Sequence, residues 1–376
     1  MEKKMNILMI PTWYSPADAE VLTAGVFHYE QSMALKKYCN MALYYPFDTD
    51  LTCDFAKSEE RGLLTYRSRL YPGKIVKYAF WIRDFMKIKK EFQPDIIHAH
   101  VASMAGRLAI VLGKLFKIPV VITEHNAIEL MGLESKKMRK INQFAYHNSR
   151  ANVCVSSDSM NRLKTFFPNE QYQVIHNGIM NPNSIEKSET LYAKEGRVNC
   201  CIVAAFYSKD IKGYQYLLPA MKRLLDKNLP ITLHICGGGD YFDYYVNMAE
   251  ELGISKNCIF YGNCNRNKVY DIIRQMDFSI SASIFECSGV SVQEAMLLGK
   301  PLVVTKSGGA NSLVNEDTAI VVERESTEAL VDGIEQMVQR LSQFDEDRIK
   351  NYAFANFEID EVSKKYVRLY SDILKK

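Results

Sequence analysis

No C-x-x-C pair occurs anywhere in the chain. Its nine cysteines stand singly or as the adjacent Cys200-Cys201. The nearest approach to a ligand spacing, Cys258 and Cys264, has no histidine nearby. This argues for buried thiols in a reducing cytoplasm rather than a zinc or disulfide framework. Long apolar runs are equally absent. The longest apolar region, Leu108 to Ile122, is broken by Lys114 and Lys117, which argues against a transmembrane helix. Near the start, Lys3 and Lys4 precede only Ile7 to Ile10 before Pro11, too short for a signal peptide and better suited to a first strand. That strand leads into Thr12-Trp13-Tyr14 rather than G-x-G-x-x-G, which makes a dinucleotide dehydrogenase the least favoured reading. Internal repeats and low-complexity tracts are also missing.

What is present is the composition of a globular protein too long for one ordinary core. The chain has 376 residues, 47% hydrophobic and 24% charged, which suits two α/β domains. Net charge is +3 overall but uneven, +7 over residues 1–185 and −4 over 186–376. The basic excess belongs to the first half.

One stretch organises the rest, Ser281 to Gly309. It closes a short buried strand (Phe278 to Ile280) and passes through a loop carrying Glu286. A helix from about Gly289 to Leu298 follows, then a second buried strand, Pro301 to Thr305, and a Ser307-Gly308-Gly309 turn. This strand–loop–helix–strand order is a βαβ unit, whose strand-end loops commonly form ligand sites. Gly289 and Val290 open the helix, so the first amides can approach a phosphate. Glu286 and Glu294 can each offer lone pairs to vicinal hydroxyls. Phosphate with hydroxyls on either side describes a nucleotide-sugar. The same residues have a plainer reading: Ser291 and Glu294 match an S-x-x-E capping box, and Glu286 suits a solvated loop.

The stretch resembles the E-x7-E motif of retaining glycosyltransferases of family 4, which have the GT-B fold. Seven residues separate Glu286 from Glu294, and E-A-M-x-x-G-K-P followed by G-G continues the family pattern. The resemblance implies two Rossmann-like parallel-sheet domains facing each other across a cleft. It gives Glu286 the transferred sugar and Glu294 the nucleotide ribose, with phosphate contacts near Ser288, Gly289 and Val290.

Further landmarks fall in the family's order. G-V-F-x-x-E-Q-x-x-A-L, Gly25 to Leu35, follows a long loop from Thr12 to Ala24, and Gly25 is implied to approach the donor phosphates. P-D-I-I-H-A-H and I-P-V-V-I-T-E-H bring His98, His100 and His125. His125 inherits a catalytic position, while His98 and His100 are weaker acceptor-binding candidates that strand alternation sends to one face. Lys212, at a strand-to-helix turn before Gly213, is placed to meet diphosphate charge. Relatives also use an arginine nearby. Here Phe206 occupies the nearest equivalent, so either Lys209 substitutes or that contact is absent. Gly237, opening a G-G-G-D turn, and Gly262, in a segment similar to the family's base-binding one, complete the donor set.

Two other features have alternatives. Asp48-Thr49-Asp50 matches a D-x-D metal signature of the other glycosyltransferase architecture, but stands in a polar loop and reads as a turn, as does Asp345-Glu346-Asp347. No metal is expected. Tyr71 to Phe92 is a basic, aromatic-rich helix that either lies on anionic lipid or packs on the sheet with a solvated basic face. A second basic run spans Lys136 to Lys140.

The expected domains are 1–180 with a C-terminal helix at about 359–376, binding acceptor, and 198–358, binding donor, joined by a linker at 181–197. The expected reaction is metal-independent, retaining transfer from a UDP- or GDP-linked sugar to a glycan, lipid-linked or small-molecule acceptor in polysaccharide, glycolipid or other glycoconjugate synthesis. Neither a cofactor nor nucleic acid is expected; peripheral contact with an anionic membrane is kept as an alternative to the packed, solvated reading of the basic helix. A nucleotide-sugar 2-epimerase and a non-catalytic partner subunit are the alternatives.

Overall fold

The computed structural model describes residues 4–14, 25–73, 76–185 and 187–375. The chain forms two compact units, Met1–Gly178 with Ile359–Lys376, and Ile179–Glu358. Residues 181–197, expected as a linker, belong to the second unit. The Tyr192 N–H donates to Gln275 at 2.8 Å and the Lys194 N–H to Asn199 at 2.7 Å. Side-chain acceptors on the unit satisfy this polar backbone, so it has a fixed course.

The first unit runs β1 (Asn6–Ile10), α1 (Val26–Leu35), β2 (Asn40–Asp48), β3 (Phe55–Glu60), β4 (Leu63–Arg69), α2 (Val76–Glu91), β5 (Ile96–His100), α3 (Arg107–Phe116), β6 (Val120–Glu124), α4 (Lys136–Asn148), β7 (Ala151–Cys154), α5 (Ser157–Phe166) and β8 (Tyr172–Val174). Its sheet has the order β3-β4-β2-β1-β5-β6-β7-β8. Central strands such as β1, N-I-L-M-I, are apolar on both faces because helices cover both sides of a parallel sheet. The order reverses between β1 and β5, which pair in parallel with Leu8 opposite Ile97. Among the described strands of this unit only β3 runs antiparallel to its neighbour, in a tight hairpin turning at Arg61-Gly62. Its sequence, F-A-K-S-E-E, has the charge expected of an edge strand.

The second unit runs β9 (Val198–Val203), α6 (Tyr214–Asp226), β10 (Ile231–Cys236), α7 (Phe242–Glu251), β11 (Cys258–Phe260), α8 (Arg266–Gln275), β12 (Phe278–Ser281), α9 (Val290–Leu297), β13 (Leu302–Thr305), β14 (Ala319–Val322), α10 (Thr327–Arg340) and α11 (Glu346–Phe357). Its sheet, β11-β10-β9-β12-β13-β14, is all parallel, and its strand order reverses between β9 and β12. In such open sheets the crevice at the reversal is where ligands bind.

The chain then returns to the first unit as α12 (Ile359–Leu374), which packs on α1 and buries Val362, Tyr366 and Tyr370 against the sheet. No helix among the described residues is long and apolar enough to cross a membrane. All nine cysteines are free, six of them buried.

The basic helix expected from Tyr71 to Phe92 is α2, which packs on the sheet rather than presenting its aromatics outward. Trp81, Phe85 and Ile88 are buried, and the buried Asp84 takes up the charges of Arg83 and Lys87. Tyr71 precedes the helix and stacks on Phe80, their ring centroids 4.1 Å apart. Lys74 lies outside the described residues.

Candidate functional site

In the second unit, the loops after β9 and β12 emerge side by side at the reversal of the sheet. Ile284 donates its N–H to the Ile211 carbonyl at 2.8 Å, which ties one loop to the other. Gly213 then opens α6 with φ 74°, a left-handed conformation, and a Cβ there would lie 1.9 Å from the Ala282 carbonyl oxygen. Only glycine permits both the turn and the approach. The consequence is the placing of Lys212, whose ammonium forms an ion pair with the Glu286 carboxylate.

Glu286 is held from several directions. Its N–H donates to the Ser307 carbonyl at 2.9 Å, and its own carbonyl accepts from the Gly309 N–H at 2.9 Å. The Ser283 hydroxyl donates to its carboxylate at 3.0 Å. Its side chain is 20% exposed and that of Lys212 28%, so both charges remain within reach of a ligand. The solvated-loop reading of Glu286 fails on this network.

The capping-box reading fails as well. Helix α9 starts at Val290 behind Gly289, whose φ is 95°, and no side chain caps it. Glu294 is instead a buried carboxylate that accepts the Tyr270 hydroxyl at 3.0 Å. The uncapped helix start leaves amides oriented for an anion. Beside it, the Ser288 hydroxyl is buried and has no hydrogen-bond partner among the described residues, and the same holds for Ser307.

The remaining donor-site expectations divide. The backbones at Gly237 and Gly262 interlock at the ends of β10 and β11: the Gly237 N–H donates to the Gly262 carbonyl at 3.0 Å. Phe206 is a core residue, fully buried and stacked on Tyr214 with ring centroids 4.3 Å apart. Lys209 sits on the exposed loop beyond it with its ammonium 4.4 Å from the Tyr244 ring centroid. The loop therefore carries a cation, but one parked on an aromatic face.

The first unit gathers histidines. His100 and His125, at the ends of β5 and β6, share a hydrogen bond of 2.7 Å between Nδ1 and Nε2 and stack with a 13° interplanar angle. His125 also bonds the Asn177 side chain, and burial depresses its pKa to about 3. Burial likewise holds His100 well below the ordinary histidine value. Behind the loop, buried Glu124 accepts the N–H groups of Ala102, His125 and Asn126 and the Tyr146 hydroxyl, fixing the turn that carries His125. Desolvation raises its pKa.

His98 does not belong among ligand-binding residues. It is fully buried, with Nε2 bonded to Thr123 at 2.8 Å and Nδ1 to the Tyr370 hydroxyl of α12 at 2.7 Å. Both ring nitrogens are spent on the fold. Sequence reasoning passed over His28, on the first turn of α1, which is buried edge-on against His100 at 4.5 Å. Neither of its nitrogens has a partner among the described residues. Its position three residues after Gly25 was the available signal. Gly25 itself caps α1 with φ 103°; of the preceding loop, residues 15–24 lie outside the described residues.

Asp48 is occupied by Arg67 at 2.9 Å and by the N–H groups of Asp50 and Leu51, so the D-x-D triplet is a self-capped turn. Asp345 caps α11 through the Arg348 N–H.

Comparison with known proteins agrees across both units. Residues 185–354 match the family model for glycosyl transferases group 1, and residues 44–180 that for glycosyltransferase family 4. An uncharacterized glycosyltransferase of Methanocaldococcus jannaschii is 23% identical over 296 residues, 73% of this chain and 75% of the relative. Among solved structures, sucrose-phosphate synthase from Thermosynechococcus elongatus superposes with a TM-score of 0.78 at 14% identity, covering 98% of this chain and 99% of the other. An Anabaena protein solved in complex with UDP gives 0.76 at 16% identity, covering 98% and 100%.

Proposed function

The chain belongs to the family 4 glycosyltransferases of GT-B architecture, and from that membership we propose a retaining sugar transfer that needs no metal ion. The donor is a nucleoside diphosphate sugar, with UDP placed ahead of GDP because the Anabaena structure holds UDP. The acceptor is a hydroxyl of a glycan, a lipid-linked saccharide or a small molecule, in the synthesis of a polysaccharide or other glycoconjugate on the cytoplasmic side.

The Lys212–Glu286 pair beside the uncapped start of α9 carries this reading. On donor binding, Lys212 exchanges its carboxylate partner for the diphosphate. The amides at Gly289 and Val290 and the Ser288 hydroxyl add donors to the same phosphates, supplying the charge that a metal would otherwise bring. Glu286, released, turns its carboxylate to the sugar hydroxyls, and Glu294 takes the ribose. Lys209, Gly237 and Gly262 line the donor in this reading.

The bond from the anomeric carbon to the phosphate oxygen breaks, and its electron pair leaves with the diphosphate. The acceptor oxygen bonds the anomeric carbon, and the acceptor proton passes to the departing phosphate oxygen. His125, with nitrogens bonded to His100 and Asn177, acts by position rather than as a proton carrier. His100 holds it there, which is a different role from direct acceptor contact.

Thermal unfolding with UDP, GDP, ADP or NAD, each in EDTA, tests the donor site. A ligand bound only by the folded chain adds roughly 2.7 kcal/mol at a hundred times its Kd. One nucleoside diphosphate is expected to raise the midpoint without metal. No response to any of them would remove the donor site and favour a non-catalytic partner subunit. Product analysis with donor alone separates transfer from 2-epimerisation.

A further inference from the structure

Helices α3 and α4 pack side by side on the same face of the first sheet as α2, and neither contains a carboxylate. Their inward residues, among them Leu108, Leu112, Ala145 and Tyr146, join the core. Arg107, Lys114, Lys136, Lys137 and Lys140 are left exposed, and none has an ion-pair partner among the described residues. Elsewhere on this unit exposed cations are often neutralised, as Lys57 is by Glu91 and Lys37 by Asp360.

The surface between these cations is apolar. A depression of about 360 Å³ is lined by Tyr78, Arg107, Val111, Lys140, Ile141 and Phe144. Phe144 is 37% exposed, and Leu115, beside Lys114 on α3, 56%. The Lys114 ammonium lies 5.3 Å from the Phe144 ring centroid, and the Arg107 guanidinium 5.7 Å from that of Tyr78. Long cationic side chains lying along apolar surface with their heads outward are what an interface between water and hydrocarbon selects.

A duplex nucleic acid or a sulfated glycan presents its charges outward and would use the cations more than the apolar floor. An anionic bilayer uses both, headgroup phosphates on the cations and acyl chains over the floor. We propose that the α3–α4 face of the first unit is a docking surface for an anionic bilayer. Lys136, Lys137, Lys140 and Arg107 meet the headgroups, and Val111, Ile141 and Phe144 meet the outer acyl region. This moves lipid contact away from α2, whose Arg83 and Lys87 are paired and whose Trp81 and Phe85 are buried. It does not depend on the sugar-transfer reading.

Sedimentation of the whole chain with vesicles tests it, comparing phosphatidylcholine alone with an equal mixture of phosphatidylcholine and phosphatidylglycerol. The chain should pellet with the mixed vesicles only. A Lys136→Gln/Lys137→Gln/Lys140→Gln variant should bind them roughly a hundredfold more weakly. Phe144→Ser should weaken vesicle binding about tenfold while leaving retention on heparin unchanged. These side chains are exposed, so unchanged melting midpoints will show that the variants are folded. Equal pelleting on both vesicles, pelleting on neither, or an unaffected Phe144→Ser variant would overturn the proposal; the last would leave a general polyanion surface.

Discussion

At the scale of single residues, the site is made by partners far apart in the chain. Lys212 and Glu286 are 74 residues apart, and Tyr270 reaches Glu294 from a different helix. The two glutamates were legible in the sequence because their spacing is local to one loop and one helix. Tyr270 was not, because its hydroxyl matters only once α8 is folded beside α9. His28 escaped for the same reason: nothing near it in sequence shows that its ring meets His100. Glu286→Gln keeps the shape and the Ser283 bond but removes the charge that the proposed mechanism turns on the sugar. Turnover should fall by about three orders of magnitude, with the melting midpoint little changed because the pair is partly solvated. Turnover within severalfold of wild type would withdraw Glu286 from the chemistry.

At the scale of elements, the ends of β5 and β6, the first turn of α1 and the inner face of α12 enclose four imidazoles. His28 and His100 are held well below the ordinary pKa of 6.5, and His98 and His125 at about 3, in each case chiefly by burial. A base whose folded pKa is depressed takes up its proton less readily folded than unfolded. Above pH 6.5 neither state is protonated and stability is complete. Below it the unfolded chain gains protons that the folded chain refuses, so stability falls with pH down toward 3. Each fully buried ring contributes up to about 1.4 kcal/mol per pH unit. Glu124 works the other way, since its raised pKa makes the folded state the better proton acceptor. Chemical denaturation between pH 8 and 4 should therefore show loss starting near pH 6.5, and stability flat to pH 5 would contradict this burial. The β3–β4 hairpin, by contrast, was invisible in the sequence. Its polar outer strand carries no alternation to detect, and only pairing with β4 makes it a strand.

At the scale of the whole molecule, the second unit is inserted into the first, and its two ends meet. Ile179 donates its N–H to the Phe357 carbonyl at 2.8 Å and bridges Glu358. With its own clusters on both faces of its sheet, residues 179–358 should fold alone. Expressed by itself, the unit is expected to melt cooperatively and to bind the preferred nucleoside diphosphate within about tenfold of the full chain. A folded fragment without nucleotide binding would place part of the donor site in the first unit.

The sequence by itself determined what depends on neighbours along the chain. Apolar runs marked the parallel strands, glycines marked the helix starts at Gly25, Gly213 and Gly289, and the spacing of Glu286 and Glu294 marked the family. Tertiary structure decided what depends on distant partners. It committed Glu294 to Tyr270 rather than to a helix cap, and withdrew His98 into the core through Tyr370 of α12. It also turned the aromatics of α2 inward while leaving Arg107, Lys114, Lys136, Lys137 and Lys140 without an ion-pair partner among the described residues. Hydrogen bonds and burial act between groups within a few ångströms, whatever their separation in the chain, so only the folded backbone could settle these points.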